Sequence, residues 1–266
     1  MVIDGHVHYG LGDGFVGPWD TRADIGRYAQ RAAAAGIQRS VLLAAFTSDY
    51  ASANRAVAAR VRTAPQRWIG FAMVHAERDR TRIEPMIAEA VRLGLRGIKV
   101  HRHDARLNRQ VCEAALAYRL PILYDPAGEL ATVDLAAGEY PGVPIIVPHL
   151  GSFADDWHAQ RDCIDVMQRH RNVFADTSGV RRFDLLEEAI ARVGHDRIIF
   201  GSDGPFLHPG VELEKIRLLR LAEAPFKAVC GGNLNRLLSR SGREAIRRAH
   251  GAAPRAPSSA PRTAFV

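Results

Sequence analysis

Short apolar runs alternate with amphipathic segments rich in Ala, Arg, Leu and Glu from one end of the chain to the other. The runs Val2–His8, Ser40–Ala45, Trp68–Val74, Gly97–His101, Pro121–Tyr124, Pro144–Pro148, Asn172–Ala175 and Arg197–Phe200 read as strands. Most are continuously apolar, as in Ile145-Ile146-Val147 and Ile198-Ile199-Phe200, which suits parallel strands covered on both faces. Between them, helical patterns run over Ala23–Ala35, Ser52–Thr63, Arg82–Leu93, Leu107–Tyr118, Asp156–Arg169, Phe183–Val193 and Val211–Leu221, with a shorter one over Glu129–Ala137. Gly36, Gly94 and Gly194 stand where helices prefer to end. Eight strand–helix pairs in about 230 residues predict an α/β fold, a (β/α)8 TIM barrel spanning residues 1–240 as one domain. An open, doubly wound sheet is the alternative, because a strand count does not close a barrel.

Composition narrows the class without changing it. The chain has 266 residues, 47% hydrophobic and 24% charged, an ordinary globular balance. No run approaches ~18 apolar residues, so no membrane span is expected. The start, Met1-Val2-Ile3-Asp4, lacks a basic segment followed by an apolar one. Cys112, Cys163 and Cys230 are far apart and form no C-x-x-C, which argues against a disulfide framework and suits the cytoplasm. The net charge of +7 is local: residues 236–266 hold seven arginines against Glu244 alone. With six surplus charges in that segment, the body is nearly neutral and no specific nucleic-acid partner is expected. Residues 241–266 read as a basic helix end and a disordered tail. Gly10-Leu11-Gly12-Asp13-Gly14 has Phe15 where a dinucleotide-binding turn needs glycine, so it reads as a mobile loop over a site.

The candidate chemistry lies where the strands end. His6 and His8 close the first strand, Lys99 and His101 the fourth, Asp125 the fifth, His149 the sixth, Asp176 the seventh and Asp203 the eighth. Carboxyl ends of parallel strands form the rim on which such folds build sites. His6 and His8, one residue apart, face the same way in a strand, toward the barrel mouth. Two imidazoles with carboxylates make a common divalent-metal site; two buried histidines bonded to backbone are the alternative. The pairing of this motif with Gly201-Ser202-Asp203 at the last strand favours the metal. Lys99 and His101 could bind a substrate carboxylate, Phe153, Trp157 and Phe206 could wall an aromatic substrate, and Arg181 with Arg182 could clamp an anion. Each of these also has an ordinary structural use. No nucleophile elbow, Walker loop or His-Glu-x-x-His occurs.

Taken in order, several motifs resemble the amidohydrolase superfamily, and most closely its amidohydrolase-2 branch of hydrolases and nonoxidative decarboxylases. They are Ile3-Asp4-Gly5-His6-Val7-His8, Gly97-Ile98-Lys99-Val100-His101, Val147-Pro148-His149-Leu150-Gly151, Phe200-Gly201-Ser202-Asp203-Gly204-Pro205 and Gly231-Gly232-Asn233-Leu234-Asn235-Arg236-Leu237-Leu238. The resemblance covers roughly residues 2–239. It implies that His6, His8 and Asp203 ligate one divalent metal ion, zinc first, with manganese or iron as alternatives. It also implies that Asp203 handles a water proton and that His149 polarises the substrate. One position departs from the branch: the fifth strand ends Ile122-Leu123-Tyr124-Asp125, with aspartate where the branch has a metal-binding histidine. Asp125 is therefore expected either to serve as a fourth ligand or to act as a proton-transfer group. His75 and His103 are weaker candidates for a replacement ligand, with a solvated loop histidine as the ordinary reading of each. The reading is a metal-dependent hydrolase of an amide, ester or lactone of a small substrate, with aromatic compounds among the candidates. Nonoxidative decarboxylation and dehydrative cyclisation in biosynthesis are the alternatives within the fold. A metal-less binding barrel is the alternative outside enzymology, and self-association is left open.

Overall fold

The apolar runs fold into one closed sheet. A computed structural model describes residues 1–14 and 22–239. The barrel strands are β1 (Ile3–Leu11), β3 (Arg39–Ala44), β4 (Trp68–Gly70), β5 (Ala72–Met73), β6 (Ile98–His101), β7 (Ile122–Asp125), β8 (Ile145–Val147), β9 (Val173–Asp176) and β10 (Ile198–Ile199). Each pairs in parallel with the next in chain order, apart from β4 and β5, which are two halves of one run. The run Trp68–Val74 divides because its first half pairs with β3 and its second with β6, the stagger that barrel closure imposes. The sheet closes where Gly5 N–H donates to Phe200 C=O at 2.9 Å and Val7 bridges to Gly204. A short strand, β2 (Arg22–Ala23), pairs antiparallel with Gly10 and Leu11. Part of the expected glycine loop is thus the end of β1; Phe15 lies outside the described residues.

Strand alternation sorts the side chains. Ile3, Val41, Ile69, Leu123, Ile146, Phe174 and Ile199 share a buried cluster inside the barrel with Leu234, Leu237 and Leu238. Helical residues 233–239 supply those leucines, and Arg96 at the foot of β6 donates to Leu238 C=O at 2.6 Å, so this segment plugs the amino-terminal mouth. Ile98, Val100, Ile122, Tyr124, Ile145 and Val147 point the other way, into the larger cluster under the helices. By the same period of two, Lys99, His101 and Asp125 must point inward above the apolar plug.

The helices are α1 (Ile25–Ala34), α2 (Tyr50–Thr63), α3 (Ile83–Arg92), α4 (Arg109–Tyr118), α5 (Leu130–Glu139), α6 (Trp157–Arg169), α7 (Phe183–Val193), α8 (Pro209–Leu218) and the short α9 (Glu223–Lys227). Asp24, Asp49, Asn108 and Asp156 accept first-turn N–H groups and start four of them. The last expected helix begins two residues early, because Pro209 fits the first turn and the His208 ring caps it through Gly210 N–H. Gly36, Gly94 and Gly194 take positive φ of 81°, 90° and 86°, as their positions after helices require. Arg197 reaches between α6 and α7 and donates to the C=O groups of Met167, His170 and Val193, satisfying helix ends that would otherwise be buried unpaired. The expected basic tail, residues 241–266, lies outside the described residues. No helix among the described residues is long and apolar enough to cross a membrane.

Candidate active site

Two neighbouring groups of ionisable side chains meet at the carboxyl ends of the strands. In the first, His6 and His8 project from β1 while Val7 between them turns to the outer core. His6 Nδ1 is 2.9 Å from Asp176 Oδ2, so the ring donates there and its Nε2 keeps a lone pair. That Nε2 is buried with no hydrogen-bond partner, 3.6 Å from Asp203 Oδ1; His8 Nε2 lies 3.1 Å from the same oxygen. One ligand atom from each of the three residues falls within 4.8 Å of the others. An orphaned buried nitrogen, a second imidazole, a carboxylate and a carboxylate fixing the tautomer from behind fit a divalent cation. Burial and the Lys99 charge push the His6 imidazole down to about 4, keeping it neutral as a ligand must be. Burial opposes the Asp203 charge too, but His8 and His6 hold its carboxyl below the usual range.

Backbone packing positions this group. Asp4 accepts from His6 N–H (3.1 Å), Ser202 N–H (2.9 Å), Tyr28 O–H (2.7 Å) and the Ser202 hydroxyl, tying β1 to the turn after β10. A Cβ at Gly201 would stand 3.0 Å from Asp176 Cγ and 3.1 Å from His6 Cβ, so this close approach needs glycine. Asp203 itself has φ of 55° and His149 has φ of 58°. Left-handed backbone at two non-glycine site residues costs about 1–2 kcal/mol each and is held by the surrounding bonds.

The second group centres on Asp125. Its Oδ2 lies 3.1 Å from His101 Nε2 and 3.5 Å from His149 Nε2, and its Oδ1 accepts from Ala127 N–H at 2.8 Å. His103 N–H donates to His101 Nδ1 at 3.1 Å, which leaves the His101 proton on Nε2, facing Asp125. His149 Nδ1 is 2.8 Å from Ser178 C=O, a pure acceptor, so the His149 proton that titrates is the one on Nε2. Burial alone would discharge His149, but Asp125 holds its pKa up at about 9. Burial likewise works against the Asp125 carboxylate, and the two imidazoles nonetheless hold it well below the usual range.

These groups line a cavity of about 430 Å³. Phe206 packs against His8 with ring centres 5.1 Å apart, Phe153 meets His149 edge-on at 5.1 Å, and Phe46 meets His101 edge-on at 4.9 Å. Of the residues expected from sequence, His6, His8, His101, Asp125, His149, Phe153, Asp203 and Phe206 therefore converge. Asp125 does so outside the three-ligand group, against the two imidazoles, and His103 lines the cavity without joining that group. Lys99 is fully buried beneath the cavity, not on its wall, and its ammonium has no hydrogen-bond partner among the described residues. Burial pulls its pKa down against the carboxylates of Asp125, Asp176 and Asp203. Trp157 stacks on His158 at the head of α6, and Arg181 pairs with Asp155 at 3.0 Å on the surface; neither lines the cavity. Asp176, placed on the rim by sequence but given no task there, orients His6 and also accepts from His149 N–H at 3.1 Å. Ser178 and Phe46 carried no signal, because loop residues and single aromatics have no pattern to read.

The Amidohydro_2 family model, amidohydrolase, matches residues 3–240. The chain belongs to the amidohydrolase-2 family. Solved structures of similar fold include a 5-carboxyvanillate decarboxylase from Sphingomonas paucimobilis, 16% identical, covering 90% of this chain and 99% of that one, with a TM-score of 0.69. An amidohydrolase from Burkholderia multivorans with bound zinc is 15% identical over 90% of this chain and 99% of that one, with a TM-score of 0.73. A dihydroxybenzoic acid decarboxylase from a Polaromonas species, with bound manganese and 2-nitroresorcinol, is 19% identical over 92% of this chain and 98% of that one, with a TM-score of 0.64. At these identities the likeness speaks for the TIM-barrel fold. No curated protein sequence is significantly similar to this chain.

Proposed function

We propose that this amidohydrolase-2 protein is a metal-dependent hydrolase of a small aromatic or cyclic ester, lactone or amide. The reading rests on one observation: the Asp203 carboxylate and the His149 imidazole, with Asp125 beside its Nε2, face one aromatic-walled cavity from opposite groups. His6, His8 and Asp203 would hold a divalent ion, with zinc and manganese, the metals of two fold relatives, as the candidates. When bound, the ion supplies a Lewis acid and makes a nearby water more acidic.

The remaining work falls to side chains. Asp203, kept ionised by its imidazole neighbours, accepts the proton of the attacking water. His149, kept protonated by Asp125, hydrogen-bonds from Nε2 to the oxygen on which charge develops and then gives that one proton to the leaving group. The proton taken up by Asp203 is released to solvent, from which the His149 ring is reprotonated. His101 holds Asp125 from its other side, so the carboxylate stays aimed at His149 as the imidazole gives up its proton. Phe46, Phe153 and Phe206 bind a flat substrate and lower the local dielectric, which strengthens both charge interactions.

Nonoxidative decarboxylation is the second reading. The same His149 proton could be delivered to a ring carbon, and the aromatic walls favour a ring-bearing acid. Incubating the zinc-loaded protein in ¹⁸O-labelled water with aryl esters, lactones, anilides and hydroxybenzoates separates the two. Hydrolysis places label in the product carboxylate. Release of carbon dioxide without label uptake would replace the hydrolytic reading by the second, and neither outcome from any substrate would overturn both.

A further inference from the structure

The peptide between Ser178 and Gly179 is held from both edges. On one edge its carbonyl accepts from His149 Nδ1–H at 2.8 Å; on the other its N–H donates to Glu212 Oε2 at 2.9 Å. A trans peptide is planar and stiff, so the two bonds cannot turn independently. His149, the Ser178–Gly179 plane and the Glu212 carboxylate therefore form one continuous hydrogen-bonded chain, running from the cavity into α8.

The segment 177–180 is buried, so its backbone polar groups need partners within the protein. Thr177 N–H donates to Ile199 C=O at 3.1 Å, Ser178 N–H to Asp176 Oδ1 at 2.9 Å, and Gly179 C=O accepts from Ala154 N–H at 3.2 Å. Three other groups turn to α8. Besides the Gly179 N–H on Glu212, Lys215 Nζ donates to Thr177 C=O at 3.3 Å and to Val180 C=O at 2.9 Å. Glu212 and Lys215 lie one helical turn apart and pair at 2.7 Å. One helix thus supplies an acceptor for the N–H and a donor for the carbonyls, with no net charge.

The same plane touches the cavity wall. Gly179 has φ of 66°, and a Cβ there would stand 2.5 Å from the Phe153 ring and 3.3 Å from His149 Nδ1. The Ser178 hydroxyl donates its own proton to Asp176 Oδ1 at 2.6 Å and leaves its oxygen 3.0 Å from His149 Nδ1. Both neighbours of that nitrogen are acceptors, so Nδ1 keeps its proton in either charge state of the ring.

We propose that Glu212 is a positioning residue for His149: acting through the Ser178–Gly179 peptide, with Lys215 as its counter-ion, it fixes the imidazole so that Nε2 faces Asp125 and the cavity. A carboxylate on the N–H also polarises the carbonyl on the opposite edge, which strengthens its hold on the Nδ1 proton. The carboxylate that Asp176 offers His6 directly is supplied to His149 at one remove. This role rests on the reading of His149 as the proton donor of the proposed reaction. Its test observes the ring itself and needs no turnover, so the two can fail separately.

Proton–nitrogen NMR of the zinc-loaded protein carrying ¹⁵N-histidine would follow the His149 Nδ1–H proton, assigned by its loss in His149→Gln. A downfield, slowly exchanging signal is expected in the unaltered protein. Glu212→Ala should speed its exchange with solvent by about tenfold or more, the scale of one buried hydrogen bond to a charged group. Glu212→Gln keeps an acceptor without the charge; it should hold exchange within about threefold while moving the proton upfield. Asn54→Ala is the control: it removes two 2.8 Å bonds to the Met73 backbone, between α2 and β5. It should lower Tm and leave the His149 proton where it was. Should Glu212→Ala fail to fold, the upfield move in Glu212→Gln, set against Asn54→Ala, carries the test. An unchanged His149 proton in both Glu212 variants would overturn the proposal. So would an equal change in Asn54→Ala, which would mark general loosening of the barrel and not a path through the peptide.

Discussion

The two halves of the site are built differently. The His6–His8–Asp203 half joins the first strand to the last across the seam where the barrel closes, and its members sit in short, continuous motifs. The Asp125–His101–His149 half gathers single residues from three successive strands and is held by backbone groups of Ala127, His103 and Ser178. The first half presents lone pairs and a carboxylate with no proton between His6 and Asp203. The second presents a carboxylate saturated by N–H donors. A cation suits the first and a mobile proton the second. Under the proposed function Asp125 handles protons, one of the two roles that its place in the fifth strand left open.

That division can be broken from either side, and the largest effect is expected on the metal side. Asp203→Ala removes a ligand and the water's base together, so metal content by elemental analysis should fall well below one per chain. Turnover should drop by more than the 10²–10⁴-fold of a lost acid–base group alone. His149→Gln keeps all three ligands; it should retain metal and lose about 10²–10⁴-fold in kcat. Asp176→Asn leaves both groups in place but loosens the His6 tautomer, and a metal-buffered titration should show affinity weakened by about 10–100-fold.

The pH profile sharpens the same contrast. His149 has its pKa raised from 6.5 to about 9 in the folded protein, so it binds more protons folded than unfolded. Its contribution to stability is complete below pH 6.5 and is lost as pH rises through about 9. Activity needing the protonated ring should fall along the same alkaline limb. In Asp125→Asn, burial is opposed only by the Asp203 and Asp176 charges, and that limb should move to lower pH. The smallest effect belongs to Arg181→Ala: with its ion pair to Asp155 on the surface, kcat/KM should change less than about twofold.

Much of this was legible in the sequence, for identifiable reasons. Buried parallel strands must be continuously apolar, so all eight runs stood out, and residues at their carboxyl ends located the rim. The period of two in His6-Val7-His8 sufficed to place both imidazoles together. The pairing of Asp125 with His149 was not legible, because it depends on a left-handed turn at His149 and on the Ser178 carbonyl behind it, both set by tertiary contacts. Lys99 and Arg181 were legible only as candidates with two uses each, for a related reason. A strand-end lysine can lie one layer below the cavity, and a loop arginine takes the nearest acid.

The separation of metal from proton is tested most directly by Asp125→Asn, with metal content and turnover measured on one folded preparation. The substitution preserves shape and removes the charge that holds the His149 proton. The expected result is one metal ion per chain, as in the unaltered protein, with turnover reduced by about 10²–10⁴-fold. Loss of the metal would show that Asp125 is a ligand, and retention of both metal and full turnover would show that it is a bystander. Either result would contradict the division of the site proposed here.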